Sequence, residues 1–269
     1  MVLEYILTPK SARREPYKLL PATMLFFSVG IAVFLLIPGL RVTPIFFSLI
    51  PLLPLMLRLL VWEERTEEAL VRKNAGFFAY HRVLLEAYAF IFVGAMLATV
   101  IWSVALPEGA SRDVFSDQTK EIEAIRTTVT DPYASGTGSA IKPDFFAFLV
   151  GHNMQVLAFM FLFSLLYGVG SLYLLLWNAS ILGVFIAMRI KAQGIMSGFL
   201  GGFLGLLPHG IFEVSAYFVA SIAGGILSIA VMRRHLDRPE LKTVLMDVLF
   251  LAAVSVVLLI IGSFIESSY

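Results

Sequence analysis

The chain contains no cysteine. Disulfides, iron–sulfur clusters and cysteine nucleophiles are thereby excluded, and any metal would have to take nitrogen and oxygen ligands. Charge is also scarce: Asp, Glu, Lys and Arg make up 14% of 269 residues, against about a quarter in soluble domains. A net charge of +1 gives no electrostatic reason to propose a nucleic-acid partner. No H-E-x-x-H zinc helix is present, nor a phosphate-binding nucleotide loop, so transport driven by ATP would need a separate subunit.

What fills the chain instead is apolar sequence, 59% of all residues, with a mean hydropathy of +0.87. Several runs exceed the roughly 18 residues that mark a spanning helix. They run continuously apolar rather than alternating, which excludes a β-barrel. The class is an all-α, polytopic transmembrane helix bundle, with the lipid bilayer as its first partner.

Residues 1–18 form a basic arm with Lys10, Arg13, Arg14 and Lys18. No small-residue cleavage site follows, so the next run reads as an uncleaved span. Residues 19–106 hold three predicted spans: about Leu19 to Leu40, Thr43 to Trp62 and Val83 to Leu106. Pro44, Pro51 and Pro54 predict a kink in the second of these, or a tight hairpin of the first two. Between the second and third, 63–82 is a charged helical connector along the membrane surface, with His81 at the interface. Residues 107–143 form the sizeable polar loop, in which Phe115, Ile122, Ile125 and Val129 recur at the spacing of a short amphipathic helix. The remainder, 144–269, divides at Gly168-Val169-Gly170-Ser171 into a fourth and a fifth span. A glycine-rich re-entrant or interfacial stretch follows over 191–207, then a sixth span from His209 to Met232 and a seventh from Val244 to Ile265. This gives about seven spans, or five to six if the proline-rich segment does not cross. Parity places the arm and the 63–82 and 233–242 connectors on one side, all rich in Lys and Arg. By the positive-inside rule that side is cytoplasmic, so the chain is N-in and 107–143 is external.

Polar residues inside the spans carry the functional reading, because ionisable side chains in lipid are costly and usually face a bundle interior or polar cavity. His209 and Glu213 are four residues apart and share a helix face. Pro208 suits the first turn of that helix. At about 1.5 Å per residue, His152, Asn153 and Asn178 fall in the same outer-half to mid-membrane layer. Together with His209 and Glu213 they define one predicted buried polar site, which Glu266 would border. Ala216, Ala220 and Gly224 form a ladder of small residues on the sixth span, and Ala179, Gly183 and Ala187 form one on the fifth. Such ladders let helices approach closely in lipid, which predicts a tight fifth–sixth pair through Gly183 and the Ala220/Gly224 ladder.

The stretch Leu207-Pro208-His209-Gly210-Ile211-Phe212-Glu213-Val214-Ser215-Ala216, followed by Gly224-Gly225, resembles the signature of the stage II sporulation protein M family. Asn153 in one span and Asn178 with Leu182-Gly183 in the next add to that resemblance, which covers about the last 120 residues. It implies a membrane-embedded scaffold: bacterial members act with peptidoglycan-remodelling partners in engulfment, and relatives occur in bacteria and archaea that make no spores. The favoured function is a non-enzymatic scaffold or permease-like subunit, in a homo-oligomer or a complex with other membrane or envelope proteins. The alternative is an intramembrane metal-dependent hydrolase, with His152, His209 and Glu213 as ligands and zinc the ion that set suits.

Overall fold

The computed structural model describes residues 8–37, 44–71, 77–129, 143–232 and 240–268. Among these there are helices and turns but no strand: α1 (Pro9–Arg14), a 3-10 turn (Pro16–Lys18), α2 (Leu19–Leu36), α3 (Pro44–Val71), α4 (Phe77–Ala105), α5 (Glu108–Val114), α6 (Ser116–Val129), α7 (Pro143–Tyr167), α8 (Ser171–Gln193), α9 (Ile195–Met232) and α10 (Glu240–Ser267). Seven of them are long and apolar enough to cross a membrane, as the sequence predicts. The Asp131–Ser139 turn, His235 and most of the 233–242 connector lie outside the described residues.

Two glycines set the boundaries around α8. Gly168 (φ 72°) follows α7 and Gly194 (φ 84°) follows α8, in the left-handed region that glycine enters without steric cost. At the second the chain reverses at once into α9. Here the structure departs from the expected helix start at Pro208. The glycine-rich stretch is neither re-entrant nor a separate interfacial segment; α9 is one 38-residue helix with Pro208 inside it. A backbone in lipid must satisfy its polar groups internally, which favours helix even for glycine-rich sequence, and proline is tolerated in such helices. The same applies to α3, which runs as one helix through Pro51 and Pro54.

The helices form two interlocked groups. In one, α4 packs on α2 and α8, with α3 against α2 and α4. Trp102 Nε1 donates to Ser28 Oγ at 2.8 Å across α4 and α2. In the other, α9 lies along α10, α7 and α8. The buried side chains of both groups belong to one continuous core.

Side-chain contacts agree with seven alternating crossings. The Arg13 guanidinium sits 4.1 Å from the Trp62 ring centroid, so the arm and the end of α3 share one face. On the opposite face, Lys191 near the end of α8 reaches Ser111 of α5 at 3.4 Å. The 107–143 segment contains two helices where one was predicted. Phe115 at their joint and Ile122 are buried, and Gln118 Nε2 donates to Ser180 Oγ of α8 at 3.2 Å. The α5–α6 segment is therefore packed onto the bundle by the Phe115 and Ile122 part of its predicted apolar stripe.

Both small-residue ladders sit at close helix contacts, but their partners differ from the predicted fifth–sixth pair. A Cβ on Gly183 would lie 2.6 Å from Thr99 Cβ of α4, and one on Gly224 would lie 2.9 Å from Ser164 Cβ of α7. Helices α8 and α9 meet instead near their shared turn, where Gly202 lies against Ile186. A small residue permits close approach to any neighbour, so it marks a contact without naming the partner.

Candidate functional site

The polar centre of the bundle is built where α7, α9 and α10 converge. Asn153 projects from α7 into the interior, 8% exposed, and donates from Nδ2 to Glu213 Oε1 of α9 at 2.7 Å. One turn beyond Glu213, the Tyr217 hydroxyl donates to Asn153 Oδ1 at 3.1 Å. Both faces of the Asn153 amide are thereby used, one as donor and one as acceptor. Tyr217 is the component that sequence reasoning missed. Its position four residues after Glu213, inside a span, was the available signal, since a buried tyrosine hydroxyl needs a partner.

Helix α10 closes the centre through an absence of side chain. A Cβ on Gly262 would fall 2.6 Å from Glu213 Cγ and 3.2 Å from the His209 carbonyl oxygen. Only glycine lets α10 lie this close to α9. Glu266, one turn further along α10, is near enough to Glu213 for their carboxylates to interact electrostatically. That agrees with the expectation that it borders the site.

The other predicted members are placed differently. His209 shares the helix face of Glu213, and its Nδ1 is buried without a hydrogen-bond partner among the described residues. His152 is turned away from the Asn153 direction, as neighbours on a helix must be, and stacks on Phe148 with ring centroids 6.1 Å apart. Asn178 donates to the Leu174 carbonyl of its own helix at 2.8 Å. Among the described residues no three His, Asp or Glu side chains gather in a position to hold a metal ion. The arrangement present joins α7 to α9 by hydrogen bonds between an amide, a phenol and a carboxyl group, with α10 packed against it at Gly262.

Comparison with known proteins bears directly on this centre. The family model for "Stage II sporulation protein M" matches residues 87–268, about two-thirds of the chain. The chain belongs to that family. The sporulation protein M region contains Asn153, Glu213, Tyr217, Gly262 and Glu266, and it extends upstream of the predicted match to include most of α4 and the α5–α6 segment. The chain is also similar to "Uncharacterized protein MJ0793" of Methanocaldococcus jannaschii. That relative is 28% identical over 127 residues, 45% of this chain and 68% of the relative. No solved structure matches.

A second polar centre lies outside the sporulation protein M region. His81 was expected at the membrane interface; it is instead buried, 4% exposed, with Nδ1 2.6 Å from Glu63 Oε1. The second oxygen, Glu63 Oε2, is buried without a partner among the described residues. The two residues bracket the connector in sequence, one ending the α3 span and the other beginning the α4 span. The charged residues between them pointed to an interface, whereas the fold turns this pair inward to join α3 to α4.

Proposed function

We propose that the protein is a non-enzymatic, membrane-embedded scaffold or permease-like subunit of the sporulation protein M type, residing in the prokaryotic cytoplasmic membrane with its N-terminus inside. The observation that carries this reading is the Asn153–Glu213–Tyr217 network, in which each polar group is engaged by another on a facing helix or the same face. This centre spends its amide and carboxyl groups on helix association. Its partners, on this reading, are other membrane or envelope proteins that assemble on the bundle.

The test separates glue from chemistry. Glu213→Gln retains an acceptor oxygen for Asn153 and should keep the wild-type melting temperature in detergent. Glu213→Leu strands the Asn153 amide, and an unsatisfied buried polar group costs about 1–3 kcal/mol. It should therefore melt lower and lose native complex size on blue-native gels. Element analysis supplies the opposing outcome. Stoichiometric zinc in the purified protein, lost in His209→Ala while the fold persists, would overturn the scaffold reading in favour of a metal centre.

A further inference from the structure

The molecule contains a second place, remote from Glu213, where polar groups and empty space coincide. Between the ends of α4 and α8 and the α5–α6 segment lies a cavity of about 290 Å³. It is close to the lower bound of small-ligand pockets, roughly 300–1,000 Å³. Its polar wall carries Lys191, Arg112, Glu108, Ser103, Ser111 and Thr119, and its apolar wall carries Phe115, Val184 and Met188.

The donors in this cavity are unequally committed. Ser111 Oγ already donates to the Ser103 carbonyl at 3.1 Å, and Thr119 Oγ1 to the Phe115 carbonyl at 3.0 Å. Ser103 Oγ is 3.5 Å from Ser111 Oγ, too long for a good hydroxyl hydrogen bond, so its proton is available. The Lys191 ammonium makes one long contact, 3.4 Å to Ser111 Oγ, which leaves most of its donor capacity unspent. Arg112 pairs with Glu108 at 3.1 Å, but the side chains are 78% and 82% exposed. An exposed pair of this kind is weak and readily exchanged for a better anion.

Two cations against one carboxylate, with free N–H and O–H donors and few free acceptors, select an anion. The apolar wall and the position between spanning helices and an amphipathic helical segment select one attached to a hydrocarbon. Guanidinium and ammonium groups are the donors best suited to phosphate oxygens.

We propose that this cavity binds the phosphate of an anionic membrane phospholipid, with Lys191, Arg112 and Ser103 as its donors and the acyl chains leaving along the apolar flank of α8. The volume holds a phosphoglycerol headgroup but not its chains, so the site requires the lipid to remain in the bilayer.

The experiment uses the full chain in vesicles of phosphatidylglycerol or of phosphatidylcholine, followed by native mass spectrometry and thermal melting. Wild-type protein should retain phosphatidylglycerol and melt several degrees higher with it than with phosphatidylcholine, because a ligand that binds only the folded state raises stability. The double variant Lys191→Gln/Arg112→Gln should retain at least fivefold less and lose the shift. Lys191→Arg keeps the charge and should keep the response, which guards against misfolding as the cause of a loss. Lys120→Gln, outside the cavity, serves as the surface-charge control and should match wild type. Undiminished phosphatidylglycerol retention in the double variant would overturn the site. So would an equal loss in the Lys120 control, or an equal thermal shift from inorganic phosphate alone, which would show a free-anion site instead.

Discussion

Gly224→Ala tests the packing on which the polar centre depends. The new methyl group would run into the Phe161 carbonyl oxygen and lie 2.9 Å from Ser164 Cβ. Carbon atoms pack at about 3.5–4.0 Å, so α7 would have to withdraw by roughly 0.6–1.1 Å. A gap of that size forfeits a quarter to a half of the dispersion well for each atom pair along the interface. Overpacking of this kind costs about 1–3 kcal/mol. The withdrawal would also stretch the 2.7 Å bond from Asn153 to Glu213, which joins the same two helices. Gly151→Ala on α7 and Gly210→Ala on α9 are the references, since a Cβ at either position meets nothing within 4 Å. All three substitutions carry the same gain in helix propensity, so the comparison isolates the contact. At about 2–4 °C per kcal/mol, Gly224→Ala should melt roughly 2–12 °C below the two references in the same detergent. Equal melting temperatures for all three would refute the claim that α7 and α9 meet through Gly224.

The Glu63–His81 pair should behave as a coupled unit. His81→Leu leaves a buried carboxyl group without its partner and should cost about 3–5 kcal/mol, whereas Glu63→Leu/His81→Leu should recover much of that loss. Strictly additive effects in a double-mutant cycle would show that the two do not interact. The N-in topology is open to one-sided labelling in the cysteine-free background. Lys120→Cys, on the exposed face of α6, should react with an impermeant maleimide from outside intact cells, and reaction only after the membrane is opened from the cytoplasmic side would invert the topology.

Much of this architecture was legible because lipid imposes few solutions. Long apolar runs, the turn at Gly168 and the amphipathic spacing around Phe115 each reflect a local rule, and each reappears in the structure. Asn153 and Glu213 were legible for a related reason, since polar groups at matching depth in lipid have nowhere else to turn. The departures arise where the outcome depends on a partner. Whether Gly183 faces α4 or α9 is not encoded at Gly183. Asn178 satisfies itself on its own helix, and His152 differs from Asn153 only by the rotation between successive helical residues. The extent of α9 escaped because proline and glycine are read as breakers by rules drawn from water, where a broken helix can be solvated. Tyr217 and Gly262 contribute a hydroxyl and an empty volume, neither of which stands out in a list of ionisable residues.

The length of α9 has a mechanical consequence. Helices α8 and α9 lie against each other just past the Gly194 turn, and α9 later meets the turn that precedes α8, where Gly225 approaches the Gly168 carbonyl. Counting residues, one route between these points takes 26 steps and the other 31. At about 1.5 Å per helical residue the second route is some 7 Å longer. The two routes share their end points, so the longer one has length to spare. Pro208 lies close to the middle of that route, and proline is where a helix bends most readily. A bend taken up there would fall beside His209, one turn from the Glu213 clasp. A change in that bend would act on the turn of α9 that carries Glu213 and touches Gly262 of α10, where three helices meet at the polar centre.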